Sequence, residues 1–220
     1  MGCGYGADTA EIIQQIGAGR AVGIDVSHTM IAEARRRAAG RVPGLSFQVA
    51  DAAKLPFGDD CFDACRAEAV LEHLSDPGRA VAEMARVTRP AGRVVALDID
   101  HGMTMLDHPD RATTRLIMEA AAEAVASGWA GRQLRRLFTQ AGLVEVDVQT
   151  HMMFAPGAFF PSVLAPQVAR LRSAGTLDPQ AAQQWWATLE DYAAAEWFTA
   201  GVTWFLATGT VPNRHTHPSD

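Results

Sequence analysis

Apolar residues in the first half of the chain come in short bursts separated by helical patterns. "RAVGIDV" (20–26) is a β-branched run closed by an acid, which predicts a buried parallel strand. "SHTMIAEARRRAA" follows with Ser27 as N-cap and apolar residues at helical spacing. "LSFQVAD" (45–51) and "CFDACRAEAV" (61–70) predict two more strands. A helix from Asp76 to Val87 stops before Arg89-Pro90, and "GRVVALDID" (92–100) predicts the next strand.

After residue 107 the pattern changes. "DRATTRLIMEAAAEAVAS" predicts a long helix and "RQLRRLFTQAG" a shorter one that Gly142 stops. "LVEVDVQTHMMF" alternates like a strand exposed on one side. Asp178 and Pro179 open another helix, in which Trp185, Leu189, Tyr192 and Glu196 share one face, expected to be buried. Trp185 and Trp186 are adjacent, so one of them is expected to point away from that face. "GVTWFLATG" (201–209) predicts a last strand beside the one at 143–151, and "TVPNRHTHPSD" a flexible tail.

Alternating strands and helices imply right-handed crossovers and a doubly wound, Rossmann-like α/β sheet, mostly parallel, with an antiparallel C-terminal strand. One domain over residues 1–209 is expected, with a ligand-binding half (1–106), a helical cover (107–209) and the tail 210–220. Hydrophobic content of 48% and charged content of 20% suit such a globule. A net charge of −6 argues against a nucleic-acid surface, and Arg35-Arg36-Arg37 suits the solvated end of a helix. No apolar run is long enough for a membrane span, and no signal peptide is apparent. Gly6 stands where a myristoylation signal needs Ser or Thr. Cys3, Cys61 and Cys65 fit a reducing cytoplasm and have no metal-ligand spacing, so no metal is expected.

Ligands of doubly wound sheets bind beyond the carboxyl ends of the strands. The chain opens on "MGCGYGA", where Gly2, Gly4 and Gly6 permit a tight turn and close backbone approach at a helix N-terminus. Taken alone, the turn also satisfies a dinucleotide fingerprint. Asp25 ends the next strand, where a carboxylate can accept from both ribose hydroxyls, and Asp51 ends the one after. The second acid suits an adenine amine, with the Ala52 backbone on a ring nitrogen, and an NAD site does not need it there.

Together "GCGYG", "GIDVSHTMIAEAR", "VADAAKLPFGDDCFD" and "VLEHLSDPGRAVAEMARVTRPAGRVV" resemble the class I S-adenosylmethionine-dependent methyltransferases, nearest the small-molecule enzymes of ubiquinone and menaquinone biosynthesis. The resemblance implies that Gly2, Cys3, Gly4 and Gly6 hold the methionine part of S-adenosylmethionine. It implies Asp25 on the ribose, Val26 and Met30 along the adenine, Asp51 and Ala52 at its edge, and Arg66 and Ala67 near the methionine end. It also implies the strand order three-two-one-four-five-seven-six. The family pattern places an aliphatic strand before the glycines, where this sequence has only Met1, and often an Arg where Ala69 stands. A late start, a fragment boundary or a strand lent by a neighbouring chain would each account for the former; a homodimer is among the assemblies allowed.

A general base is needed only when the acceptor keeps its proton at neutral pH. His73 in "LEHL" and His101, with Asp100 beside it to orient the ring, are the catalytic candidates, and His151 a candidate lid contact. His215 and His217 suit a solvated tail. Glu68 and Glu72 either repel anionic acceptors or lie on the surface. Trp129, Phe154, Phe159, Phe160, Trp185, Trp186 and Trp197 all fall in the second half, which suits a hydrophobic or aromatic small-molecule acceptor. The competing readings are an NAD-dependent oxidoreductase and a non-catalytic methyltransferase-like subunit.

Overall fold

The computed structural model describes residues 1–17, 19–39, 43–154 and 159–213. The first half alternates as expected, through α1 (Ala7–Ile16), β1 (Ala21–Asp25), α2 (His28–Ala38), β2 (Leu45–Val49) and β3 (Phe62–Glu68). A 3-10 turn (Leu71–His73), α3 (Pro77–Val87) and β4 (Thr88–Leu106) follow. The second half is α4 (Arg111–Glu123), α5 (Ala130–Gln140), β5 (Val144–Phe154), α6 (Phe159–Ser173), α7 (Pro179–Ala194) and β6 (Ala200–Thr210). Helix starts are fixed by side chains that accept orphan N–H groups: Ser27 from Met30, Asp76 from Arg79, Asp110 from Thr113, and Asp178 from Gln180 and Ala181.

Strand pairing follows the expected order in two pieces. β1 runs parallel to β2, and the second piece is ordered β3-β4-β6-β5, with β3 parallel to β4 and β6 antiparallel to both neighbours. Met1–Cys3 bridges the two pieces: the Cys3 N–H donates to Ile24 O at 2.8 Å and the Met1 ammonium to Arg66 O at 2.6 Å.

The main core lies where α3 and α5 cover the second sheet piece, with Met84, Val94, Leu134 and Phe138 fully buried. A second core sits inside the cover of α4, α6 and α7, around Ile117, Leu164 and Trp185. Trp185 is buried and Trp186 half-buried, as adjacent positions on one helix require. The expected buried face fades along α7: Leu189 is buried, Tyr192 half-buried and Glu196 exposed.

Three expectations need correction. Helix α6 occupies a stretch with no predicted element, because Pro161 and Pro166 disguise it. Pro161 falls in the first turn, where its missing N–H costs nothing, and Pro166 is carried inside the helix. Strand β4 continues past Asp100 to Leu106, because Met105 and Leu106 pair with Gly201 and Ala200 across an irregularity. The tail begins later than residue 210: Ala91 N donates to Val211 O and Val211 N to Gly92 O, which extends the pairing of β4 with β6. Residues 214–220, including His215 and His217, lie outside the described residues, as does the side chain of Phe159.

Candidate active site

Three glycines shape the loop ahead of α1. Gly2, Gly4 and Gly6 have φ of 62°, 50° and 81°, a region that side-chain-bearing residues rarely adopt. Two of them also pack closely, since a Cβ at Gly2 would lie 2.2 Å from Val70 and one at Gly6 would lie 2.4 Å from the Phe47 ring. At Gly4 a Cβ would meet no atom within 4 Å, so the loop crest opens onto free space. Cys3 is half-buried, and burial together with the charge on Asp25 pushes its thiol pKa up.

Asp25 ties this loop to the end of β1. Its Oδ2 accepts from Gly4 N at 3.0 Å and its Oδ1 from Ser27 N at 2.9 Å. Each oxygen keeps a lone pair for a further donor. Beside it Val26 is 74% exposed and Met30 half-buried, an apolar ledge at the start of α2. At the end of β2 Asp51 is exposed, with Oδ1 accepting from Ala53 N at 2.8 Å, and Ala52 is half-buried. Both acids therefore lie at the carboxyl ends of adjacent strands, with the glycine crest bonded to the first of them. A left-handed loop open to space, a carboxylate with spare acceptors, an apolar ledge and a second exposed acid fit an adenosyl cofactor. Arg66 is exposed and paired with Glu68, while the Ala67 side chain is fully buried in the main core, so only its backbone can face a ligand.

The end of β4 holds a group of acids and bases that sequence reasoning only partly found. Asp98 is fully buried and accepts from the N–H groups of Val70, Leu71 and Glu72 at 3.3, 2.8 and 3.2 Å, which clamps the 3-10 turn. Burial, then the nearby Glu72 charge, pushes the Asp98 carboxyl up to about 6, against the pull of those three N–H groups. Glu72 is buried rather than on the surface, and meets both candidate histidines: His101 Nε2 at 2.5 Å and His73 Nε2 at 3.3 Å. The expected pairing of Asp100 with His101 does not form. Asp100, fully buried, accepts instead from Arg132 of α5, through its backbone N–H and its guanidinium.

His73 is 66% exposed at the side chain and His101 22%, so His101 is the more enclosed base. His151 is on the edge strand β5, opposite Trp204 of β6, and is not brought to this group. Met103 on β4 and Met152, Met153 and Phe154 on β5 are exposed at the same end of the sheet. Two surface concavities, of about 370 and 680 Å³, lie in the cover instead, one lined by α4 and α6, the other by α7 and Arg172 of α6. Ala69, just past β3, has φ of 48°, and such left-handed non-glycine residues gather at functional loops. The sequence signal for the buried acids was the alternation in "VVALDID", where Val94, Ala96, Asp98 and Asp100 share the buried side. Among the described residues no cluster of His, Cys, Asp and Glu is arranged to hold a metal ion, and no helix is long and apolar enough to cross a membrane.

Comparison with known proteins gives this geometry a context. Residues 1–107 match the family model described as "Methyltransferase domain". Over 214 residues the chain is 36% identical to an uncharacterised 37.1 kDa protein of a Streptomyces fradiae transposon, covering 94% of this chain and 60% of that protein. Over 95 residues it is 35% identical to the ubiquinone/menaquinone biosynthesis C-methyltransferase UbiE of Bdellovibrio bacteriovorus, 43% of this chain and 40% of that one. The YcgJ protein of Bacillus subtilis shares the fold, with a TM-score of 0.65 at 19% identity over 97% of this chain and 90% of its own. The chain thus spans 60% or less of the length of these two curated relatives.

Proposed function

We propose that the chain is a class I S-adenosylmethionine-dependent methyltransferase that carries a methyl group to a small, neutral acceptor with a hydrophobic or aromatic body. The observation that carries the reading is the loop Gly2–Gly6, left-handed at three glycines and held by its Gly4 N–H against the Asp25 carboxylate. When bound, S-adenosylmethionine supplies a methyl group on a positively charged sulfur, ready for attack without further activation.

The protein's own work is then positioning and exclusion of water. Asp25 accepts from the ribose hydroxyls with the lone pairs that Gly4 and Ser27 leave free. Val26 and Met30 flank the adenine, and Asp51 and the Ala52 backbone receive its edge. The glycine crest, with Cys3, and the Arg66–Ala67 backbone line the methionine end. Met103, Met152, Met153 and Phe154 give the acceptor an apolar rim, and the buried Glu72 disfavours an anionic acceptor nearby.

Isothermal titration with S-adenosylhomocysteine and, separately, with NAD tests this reading. Binding of S-adenosylhomocysteine alone is the expected result. Binding of NAD alone would make the chain a dinucleotide enzyme, and binding of neither would make it a non-catalytic relative.

A further inference from the structure

We propose that Glu72 and His101 are a general-base pair that serves a neutral hydroxyl acceptor, such as a phenol or enol, methylated on oxygen. This rests on the methyl-transfer reading above. Glu72 is 4% exposed, yet among the described residues its ion-pair partners are two imidazoles and no guanidinium or ammonium. A buried carboxylate without a full-time cation is costly, so the arrangement favours a neighbour that becomes positive.

The hydrogen-bond roles fix which atom can take a proton. A carboxylate only accepts, so His101 Nε2, 2.5 Å from Glu72 Oε2, carries the hydrogen of the neutral ring. Nδ1 then holds the free lone pair, and no described residue is bonded to it. Its ring is 22% exposed, enclosed but reachable. Its charged partner is Glu72, which also meets His73; Asp98 holds the same turn, and Arg132 is taken up by Asp100.

Two contacts place the pair beside the cofactor loop and hold it still. The Glu72 turn follows Val70, against which Gly2 packs so closely that a Cβ would lie 2.2 Å away. The three N–H groups that Asp98 accepts come from Val70, Leu71 and Glu72, so the turn carrying the carboxylate is anchored on β4, three residues before His101. An enclosed base held in one orientation serves an acceptor that must lose a proton as it reacts.

The step balances. The acceptor oxygen forms a bond to the methyl carbon, the carbon–sulfur bond breaks, and its electron pair stays on sulfur to give neutral S-adenosylhomocysteine. The hydroxyl proton passes to His101 Nδ1, and the positive charge lost from sulfur reappears on an imidazolium facing Glu72. Release of that proton to water restores the pair.

Imidazole 15N NMR of the whole chain, with and without S-adenosylhomocysteine, tests the pair without turnover; His101→Gln identifies the resonance by its loss. In the neutral ring the wild type is expected to show the hydrogen on Nε2, and Glu72→Ala, which removes the acceptor, a mixture of both tautomers. An unchanged tautomer in Glu72→Ala overturns the pair. Methylation of phenol, 4-nitrophenol, aniline and acetylacetone is then followed with radiolabelled S-adenosylmethionine. On phenol, whose pKa is about 10, His101→Gln is expected to lose at least ~100-fold in kcat/KM. The loss is expected to shrink on 4-nitrophenol, which ionises near neutral pH. Equal losses on both, methylation confined to nitrogen or carbon, or no methylation despite bound S-adenosylhomocysteine overturns the proposal. Failure of the wild type to bind S-adenosylhomocysteine instead sinks the methyl-transfer reading, which the imidazole tautomer does not depend on.

Discussion

Gly4→Ala separates the loop's structural role from its binding role. Gly4 has φ of 50°, so an alanine there carries the left-handed penalty of about 1–2 kcal/mol. Its methyl meets no protein atom within 4 Å, and the Gly4 N–H bond to Asp25 does not involve the new carbon. The stability loss should stop at that penalty, a fall in Tm of about 2–8 °C for a chain of this size. Gly6→Ala is the internal control. Its methyl would sit 2.4 Å from the Phe47 ring and 3.1 Å from Ala34 Cβ, both in a buried cluster, which adds roughly 1–3 kcal/mol of overpacking. The space above Gly4 is the proposed place of the cofactor. Gly4→Ala should therefore weaken S-adenosylhomocysteine at least tenfold, about 1.4 kcal/mol, while remaining the more stable of the two variants. Thermal unfolding and isothermal titration on both proteins measure the two effects. Wild-type affinity in a folded Gly4→Ala protein would refute a cofactor role for the loop.

Further outcomes follow from other contacts. Asp25→Asn turns one amide N–H toward Gly4 N or Ser27 N, leaving a donor unpaired at about 1–3 kcal/mol, and titration should show S-adenosylhomocysteine binding at least tenfold weaker. Asp98, raised from 3.8 to about 6, holds its proton more tightly folded than unfolded, so its favourable contribution is complete below about pH 4 and is lost as pH rises toward about 6. Urea unfolding should show the stability of Asp98→Asn relative to wild type improving between pH 4 and pH 7 by up to about 3 kcal/mol. Trp185→Ala removes a fully buried ring and its Nε1–H bond to Thr114 Oγ1, and should cost about 3–5 kcal/mol by denaturant unfolding. The half-buried Trp186 should cost less in the same substitution.

What the sequence made legible were features with local causes. Ser27, Asp76 and Asp178 cap helices because their oxygens accept from the N–H groups two or three residues on, a relation visible in the chain itself. Asp25 and Asp51 were readable as candidate site residues because they end β-branched or alternating runs. Helix α6 was hidden, since Pro166 argues locally against a helix and only packing of Leu164, Val168 and Leu171 into the cover outweighs it. Glu72 was undecided for a similar reason. Its burial depends on Asp98, 26 positions later, holding the turn, and on His101 arriving from β4. The pairing of Asp100 with Arg132 was equally remote, since α5 must first cross the sheet. Chemistry at strand ends could be read from the strands, and chemistry made by two strands meeting could not.

One cofactor site is proposed for the Gly2–Gly6 loop, Asp25 and Asp51. Its most direct test is a crystal structure of this chain with S-adenosylhomocysteine. The expected electron density places both ribose hydroxyls on the Asp25 carboxylate, the adenine amine at Asp51 and the homocysteine over Gly4. Density anywhere else, with Asp25 still engaged only by Gly4 and Ser27, would contradict it.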